Sequence, residues 1–282
     1  MSRKPYPSDL SAAEWAVLAP LIPPPLPGGR PRKTDMREVV NALLYVARNG
    51  CTWRALPHDF PLWTTVYFYF KVWTDSGLWQ QMLDALRPQV RKAAGRDETP
   101  KVAYIDSQSV KTTEIGGECR TYDAAKKVKG RKRHIIVDSL GLLLAVFVCG
   151  AGVGDAEAAP AVLEQLDAAK YPRLQRVYGD SKYDSAFVRR WLDDEGAAYT
   201  ISGVSRPAGT RGYVHLPKRW VVERSLAWAG RWRRLSKDYE RKPEHSEAML
   251  RISGVALMAR RLGGRKPKPQ FLYKWSNCRS CR

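Results

Sequence analysis

Apolar residues in the first third of the chain recur at helical spacing, and polar or helix-breaking segments separate the sets. Each of the first two sets follows a helix-capping residue, Ser11 or Asp35, and Gly50 stands after the second. The sets are Trp15, Leu18 and Leu21, and then Val39, Leu43 and Val46. A short piece at 52–56 precedes a third predicted helix at 66–75. This order predicts a helical, helix-turn-helix-like domain over residues 1–98.

From residue 99 the pattern changes to short apolar runs that alternate with helical segments. Strands are predicted at 102–105, 134–137, 142–148, 174–178 and 198–201, and helices at 155–166, 184–194 and, in two pieces, 218–262. Three strands and a helix, followed by strand, helix, strand and helix, are typical of an RNase H-like mixed sheet flanked by helices. We therefore predict an α/β domain over residues 99–262 and a basic, disordered tail over residues 263–282.

The net charge of the chain indicates which class of partner it binds. Its 282 residues include 48 Lys and Arg against 28 Asp and Glu, a formal net charge of +20. Such an excess repels itself unless a polyanion neutralises it, which favours nucleic acid and leaves an anionic membrane surface as the alternative. No apolar run reaches the roughly 18 residues of a membrane span. The first residues lack a signal peptide, so we expect a cytoplasmic protein that binds no membrane.

Three carboxylates stand where an RNase H-like sheet would bring them together. Asp106 directly follows the first predicted strand, Asp180 directly follows the fourth, and Glu223 lies on a later helix. Phosphodiester cleavage uses two metal ions to stabilise the attacking and leaving oxygens, and Mg²⁺ prefers oxygen ligands. The pattern predicts a site for two Mg²⁺ or Mn²⁺ ions held by these carboxylates.

Each carboxylate also has a structural interpretation. An acidic residue at a strand end often forms a turn or caps a helix, and we interpret Asp138 and Asp155 in that way. Glu223, taken alone, is typical of an exposed helix surface. Only the combination of Asp106, Asp180 and Glu223 favours a catalytic site.

Basic residues cluster in several places. The segment 126–134 holds six Lys or Arg in nine residues, and we interpret it as a phosphate clamp, with a solvated surface as the alternative. Arg219 shares a helix face with Glu223, which is compatible with DNA contact or with a structural ion pair. The predicted DNA-binding residues are Arg30, Arg32, Lys33, Lys71, Lys129, Arg131, Lys132, Arg219 and Arg231.

Several runs of this sequence resemble the bacterial DDE insertion-sequence transposases, of the type called insertion-sequence family five. The runs are 52–57, 73–77, 104–107, 122–134, 179–180 and 219–240. The resemblance implies that Asp106, Asp180 and Glu223 form the catalytic triad. The chain departs from the family's pattern where Leu216 replaces a Tyr and Gly230 replaces a Lys, and Arg231 would take over from that Lys.

The resemblance also implies an activity and partners. A DNA transposase binds the terminal inverted repeats of its element, cuts there and transfers the cut strand to target DNA. It works as a homodimer or larger synaptic complex, here in the bacterial cytoplasm at the nucleoid. Two alternatives stay open: a hydrolytic RNase H-like nuclease, and a catalytically inactive DNA-binding remnant of a transposase.

Overall fold

The computed structural model describes residues 3–25, 31–205 and 217–264. Arg30, Leu216 and the tail residues 265–282 lie outside the described residues. The helices are α1 (Ala12–Leu18), α2 (Met36–Asn49), α3 (Trp63–Asp75), α4 (Leu78–Ala93), α5 (Asp155–Leu163), α6 (Ala186–Asp194), α7 (Pro217–Gly230) and α8 (Pro243–Leu262), and short 3₁₀ turns lie at Ala19–Leu21, Trp53–Ala55 and Arg233–Leu235. The strands are β1 (Val102–Lys111), β2 (Thr121–Asp123), β3 (Val128–Asp138), β4 (Leu143–Gly150), β5 (Arg176–Gly179) and β6 (Thr200–Gly203).

The predicted caps define the first two helices. Ser11 Oγ accepts a hydrogen bond from the Glu14 backbone amide, and the Glu14 carboxylate accepts one from the Ser11 amide. Asp35 Oδ1 accepts a 2.8 Å hydrogen bond from the Arg37 amide. Gly50 ends α2 with a φ of 74°, a left-handed conformation that glycine adopts without strain. The helix starts and the stop predicted at these residues are confirmed.

The sheet confirms the RNase H-like mixed α/β prediction. β3 lies antiparallel between β1 on one side and β4 and the short β2 on the other, and β1, β5 and β6 run parallel. Three antiparallel strands thus lead into two parallel ones, each connected through a helix. The order across the sheet is β4, β3, β1, β5 and β6.

Two strands are longer than the sequence pattern predicted. β1 was expected to end before Asp106, but its antiparallel pairing with β3 continues to Lys111. The parallel pairing of β1 with β5 ends at Tyr104, so Asp106 lies inside β1 just beyond that pairing. β3 begins at Val128 and not at His134, because its basic residues find buried partners described below.

Helices cover both faces of the sheet. One face packs on α5 and α6 through an apolar core that includes Ile105, Ile136 and Val177. The other face, through Ile135 and Val146, joins a larger core formed with α7, α8 and the N-terminal helices. Among the described residues, no helix has the length and apolar character needed to cross a membrane.

The N-terminal helices share their core with the sheet and α8. Helices α1, α2, α3 and α4 all contact α8, and α4 also contacts β4. Gly254 of α8 permits the closest approach, because a Cβ there would lie 2.8 Å from Leu143 and 3.0 Å from Leu83. The domain boundary predicted near residue 98 falls between α4 and β1, and stays a prediction.

Candidate functional site

Asp106 lies on the face of β1 that α7 covers. Alternation along the strand turns its neighbour Ile105 into the core below the sheet, so Asp106 points to the opposite side. Burial, together with the smaller effects of the nearby Asp180 and Glu223 charges, raises the pKa of the Asp106 carboxyl to about 6. A hydrogen bond from the Ser107 amide, at 2.8 Å, and the charge of Arg219 partly oppose this rise. Arg219 thus balances only part of the effect that burial and the two acidic neighbours have on Asp106.

Asp180 directly follows β5, next to Asp106. The last paired residues of β1 and β5 are Tyr104 and Tyr178, and each aspartate comes two residues later in its chain segment. Asp180 Oδ1 accepts a 2.9 Å hydrogen bond from the Lys182 amide, which holds the carboxylate in the turn after the strand. The pairing of these strands thus brings the two predicted aspartates to one place.

Glu223 reaches the same place from α7. The helix is fixed over the sheet where Lys218 Nζ lies 4.2 Å from the centre of the Tyr178 ring, and Ser225 Oγ donates to the Gly141 carbonyl at 3.1 Å. Arg219 Nη2 lies 3.5 Å from Glu223 Oε1, one helical turn away. The structural ion pair foreseen as an alternative for these two residues is therefore present. It leaves Glu223 partly exposed and close enough to influence Asp106.

The chemistry of these side chains suits a hard divalent cation. All three offer carboxylate oxygens, and burial raises the pKa of Asp106, so a bound cation would favour its ionised form. Within residues 3–25, 31–205 and 217–264, however, no three His, Cys, Asp or Glu side chains are grouped closely enough to hold a metal ion. The carboxylates share one electrostatic environment without forming a complete ligand cage.

A polar network that the sequence did not reveal lies beneath the carboxylates. Asp155 opens α5, and its Oδ1 accepts a 2.7 Å hydrogen bond from Ser107 Oγ. Lys132 Nζ and Lys182 Nζ each lie 3.3 Å from the same carboxylate. Burial alone would raise the pKa of Asp155, but Ser107 and the two lysines lower it. Sequence reasoning took Asp155 only as a helix cap, and its lysine partners are distant in the chain.

His134 belongs to the buried part of this network. Its Nδ1 lies 2.9 Å from the Tyr183 hydroxyl, and its Nε2 lies 3.5 Å from Cys149 Sγ. Burial lowers the pKa of His134 to about 4, so the ring is neutral at pH 7. A neutral, buried imidazole has a structural role and does not contact phosphate.

The phosphate clamp predicted at 126–134 is wrong for Arg131 and Lys132, which are buried. Arg131 Nη1 lies 3.1 Å from Asp238 Oδ1, and the guanidinium also donates to three backbone carbonyls. Arg133 is buried beside the same aspartate. Lys132 donates to the Val153 carbonyl at 2.6 Å and pairs with Asp155. These cations connect β3 to other parts of the fold, so no phosphate can reach them.

The remaining predicted DNA contacts lie at the surface. Lys129, at the start of β3, is exposed, and so are Lys33, Lys71 and Arg231. Arg32 is partly exposed and donates to the Pro23 carbonyl at 2.9 Å. Their roles stay predictions.

Two family profiles match this chain. "Putative transposase of IS4/5 family" matches residues 10–83, and "Transposase DDE domain" matches residues 97–258. The "Putative transposase for insertion sequence element IS402" of Burkholderia cepacia is 34% identical over 131 residues, which are 44% of this chain and 60% of that protein. This chain thus spans about 60% of the length of that relative.

Two further similarities are weaker. The "Insertion element IS402 uncharacterized 16.2 kDa protein" of Burkholderia cepacia is 26% identical over 108 residues, or 36% of this chain and 72% of that protein. The "Crystal structure of the Mos1 Strand Transfer Complex" aligns with 64% of this chain and 60% of that one, at 12% identity and a TM-score of 0.23.

Proposed function

Since this chain belongs to the transposase DDE domain family, we propose that it is a DNA transposase that cuts insertion-element ends and joins them to target DNA at Asp106, Asp180 and Glu223. The observation that carries the proposal is electrostatic. Burial raises the pKa of Asp106, and the charges of Asp180 and Glu223 raise it too, which supports a site where the three carboxylates act together on a cation.

Asp106, Asp180 and Glu223 would hold the divalent ions, Mg²⁺ or Mn²⁺, that the family generally uses. When bound, two such ions stabilise the attacking and leaving oxygens of an in-line displacement. Asp106 contributes a carboxylate that burial has already desolvated, so its attraction for a cation is strengthened. Arg219 holds Glu223 within reach of the site through their ion pair.

The proposed reaction has two displacements on phosphorus. In the first, a water oxygen bonds to the phosphorus at the element end, the bond to the 3′ oxygen breaks, and that oxygen leaves as a hydroxyl after taking up a proton. In the second, this 3′ hydroxyl loses its proton and bonds to the phosphorus of a target phosphodiester, and the 3′ oxygen of the target strand leaves and takes up a proton. One P–O bond forms and one breaks, so the second step needs no external energy source.

Terminal inverted repeats and target DNA are the proposed partners. The exposed Lys33, Lys71, Lys129 and Arg231 supply positive charge for the phosphate backbone. We assign recognition of the repeats to residues 1–98 and the joining of two ends to a dimer or larger complex. The net charge of +20 supports a polyanionic partner.

Cleavage and strand-transfer assays on DNA that carries the element ends, with Mg²⁺, test the proposal. Asp106→Ala, Asp180→Ala and Glu223→Ala should each abolish both products while DNA affinity stays near that of the unsubstituted protein, because basic residues provide the affinity. Asp193→Ala, on the exposed surface of α6, is the matched control and should cleave normally.

Three results would change the conclusion. Cleavage at the normal rate by one of the three variants would remove that residue from the site. Nicked DNA without joined products would favour the hydrolytic nuclease. DNA binding without metal-dependent cleavage by the unsubstituted protein would favour the inactive remnant.

A further inference from the structure

An open groove with a volume of about 450 Å³ lies beside α7, and Glu223 is not one of the residues that line it. The end of α4, the β3–β4 turn, α7 and the end of α8 form its walls. Arg224 and Trp228 enter it from α7, Leu140 from the turn and Arg261 from α8. None of these residues belongs to the carboxylate site.

Cations and aromatic rings alternate along this side of α7. The Arg224 guanidinium lies 4.5 Å from the centre of the Trp220 ring and 4.6 Å from the centre of the Trp228 ring. Arg261 lies over the same Trp228 ring at 5.4 Å. Trp220 is 40% exposed, an unusual position for a large aromatic side chain. The result is a column of flat groups that faces solvent.

The two arginines lack a matching negative charge. Among the described residues, no carboxylate lies within ion-pair distance of either one, and Arg224 Nε is buried without a hydrogen-bond partner. Within the described part of the chain, the Leu140 carbonyl, at 3.5 Å, is the hydrogen-bond acceptor of Arg261. The nearest influential acid is Asp138, which is already paired with Arg91.

The pKa directions agree with this imbalance. Burial lowers the pKa of Arg224, and it lowers that of Arg261, which the charge of Arg224 lowers further. Two guanidinium groups that repel each other in a partly desolvated groove gain most from an anion between them. A planar guanidinium matches a phosphate oxygen pair in geometry and stacks well on aromatic rings.

We propose that this groove binds a backbone phosphate of a DNA strand between Arg224 and Arg261, with a neighbouring base or sugar against Trp220. The inference rests on the proposed function and adds a subsite to it. The exposed aromatic ring beside the cations favours a nucleic acid strand over free phosphate, because stacking on aromatic groups accompanies phosphate contact in proteins that bind single strands. A strand held here would lie along α7 towards Glu223.

The salt dependence of DNA binding tests the subsite. Affinity for a duplex of arbitrary sequence and for a single strand is measured over a KCl series with the full chain and without metal. The double variant Arg224→Gln/Arg261→Gln should flatten the slope of log affinity against log salt by about 0.9 on duplex and about 0.7 on single strand, for the one lost phosphate contact. Arg224→Lys/Arg261→Lys should retain most of the slope.

A matched control removes the same charge away from the groove. Lys170→Gln/Arg190→Gln changes exposed positions in the segment after α5 and on α6, neither of which lines the groove, and should leave the slope unchanged. If the double Gln variant does not fold, Arg261→Gln alone should flatten the duplex slope by up to about 0.9. Equal slopes for the Gln variant and the unsubstituted protein would overturn the subsite and leave the proposed function intact.

A second measurement separates the sources of phosphate. Thermal unfolding is followed with inorganic phosphate in place of DNA. If inorganic phosphate stabilises the unsubstituted protein but not the Gln variant, and the DNA slopes are equal, the groove is a small-anion site and the DNA assignment is wrong. If the unsubstituted protein binds no DNA, both the proposed function and the subsite are wrong.

Discussion

Ser107 Oγ donates a 2.7 Å hydrogen bond to Asp155 Oδ1, and this contact crosses from β1 to the first turn of α5. Ser107 directly follows Asp106. Lys182, which follows Asp180 by two residues, pairs with the other oxygen of Asp155 at 3.3 Å. One carboxylate, at the start of α5, thus connects the two segments that carry Asp106 and Asp180.

Asp155→Ala should destabilise the protein by about 3–5 kcal/mol, because it leaves the buried Lys132 ammonium without its counter-charge. Urea denaturation followed by circular dichroism measures the loss. The double variant Lys132→Met/Asp155→Leu should recover most of it, since it replaces the whole pair with apolar groups. A loss below about 1 kcal/mol would show that the Val153 carbonyl alone satisfies Lys132.

Asp106→Asn should stabilise the metal-free protein at alkaline pH. The pKa of Asp106 is about 6 in the folded chain against 3.8 as its ordinary value. The stability linked to its neutral form is therefore complete below pH 3.8 and is lost as the pH rises through 6. At pH 8 the variant should exceed the unsubstituted protein by about 2–3 kcal/mol.

Denaturation in the presence of a chelator, at pH 4 and at pH 8, checks this pH dependence. The two proteins should have nearly equal stability at pH 4. A constant difference at both values would assign the effect to packing and not to ionisation.

Lys129→Gln should weaken binding to specific and arbitrary DNA by the same factor. Within β3, Lys129 is exposed whereas Arg131, Lys132 and Arg133 are buried. A contact with the DNA backbone carries no information about the base sequence. The slope of log affinity against log salt should fall by about 0.9. Filter binding over a KCl series measures it, and an unchanged slope would identify Lys129 as ordinary surface charge.

Arg131→Gln should act on stability and leave the salt slope of the folded protein unchanged. The substitution removes a buried guanidinium from Asp238 and three carbonyls, at a cost of about 3–5 kcal/mol. Guanidinium denaturation measures the loss, with Lys129→Gln as the exposed control on the same strand. Full stability combined with a lower salt slope would restore Arg131 as a DNA contact.

Lys71→Ala should reduce binding to the terminal repeats. Phe68 is 58% exposed and Val72 is 41% exposed, so the side of α3 that also carries Lys71 faces solvent. Because an exposed helix face with apolar and basic residues can enter a DNA groove, we expect Phe68→Ala to lower repeat affinity more than affinity for arbitrary DNA. Footprinting on both DNAs checks this, and an unchanged footprint would exclude this face of α3.

The order of elements could be predicted because it follows from local patterns. Ser11, Asp35 and Gly50 act through hydrogen bonds or backbone angles within a few residues, so the sequence shows them directly. Asp106 and Asp180 could be paired in advance because each closely follows a strand of a recognisable sheet. The extension of β1 to Lys111 could not, since it depends on pairing with β3.

The basic segment 126–134 shows why other features of the fold could not be predicted from the sequence. Six cations in nine residues normally indicate a solvated surface or a polyanion site. Arg131 is instead buried by Asp238, 107 residues later in the chain. No local pattern reveals a partner at that separation, and the same holds for Lys132 and Asp155. A buried ion pair between distant segments looks, in sequence, like a binding patch.

The core shared by the N-terminal helices and α8 implies a fixed distance between the proposed repeat-binding helices and the proposed site of cleavage. Leu83 of α4 and Leu143 of β4 both pack against Gly254 of α8. The helices proposed to bind a repeat are therefore packed on the sheet that carries the aspartates, and we expect the two to move together. The distance from the bound bases to the cut would then be set by this packing and not by a flexible linker. Base pairs inserted between the repeat and its border would shift the cut into the inserted DNA, at a constant count from the repeat.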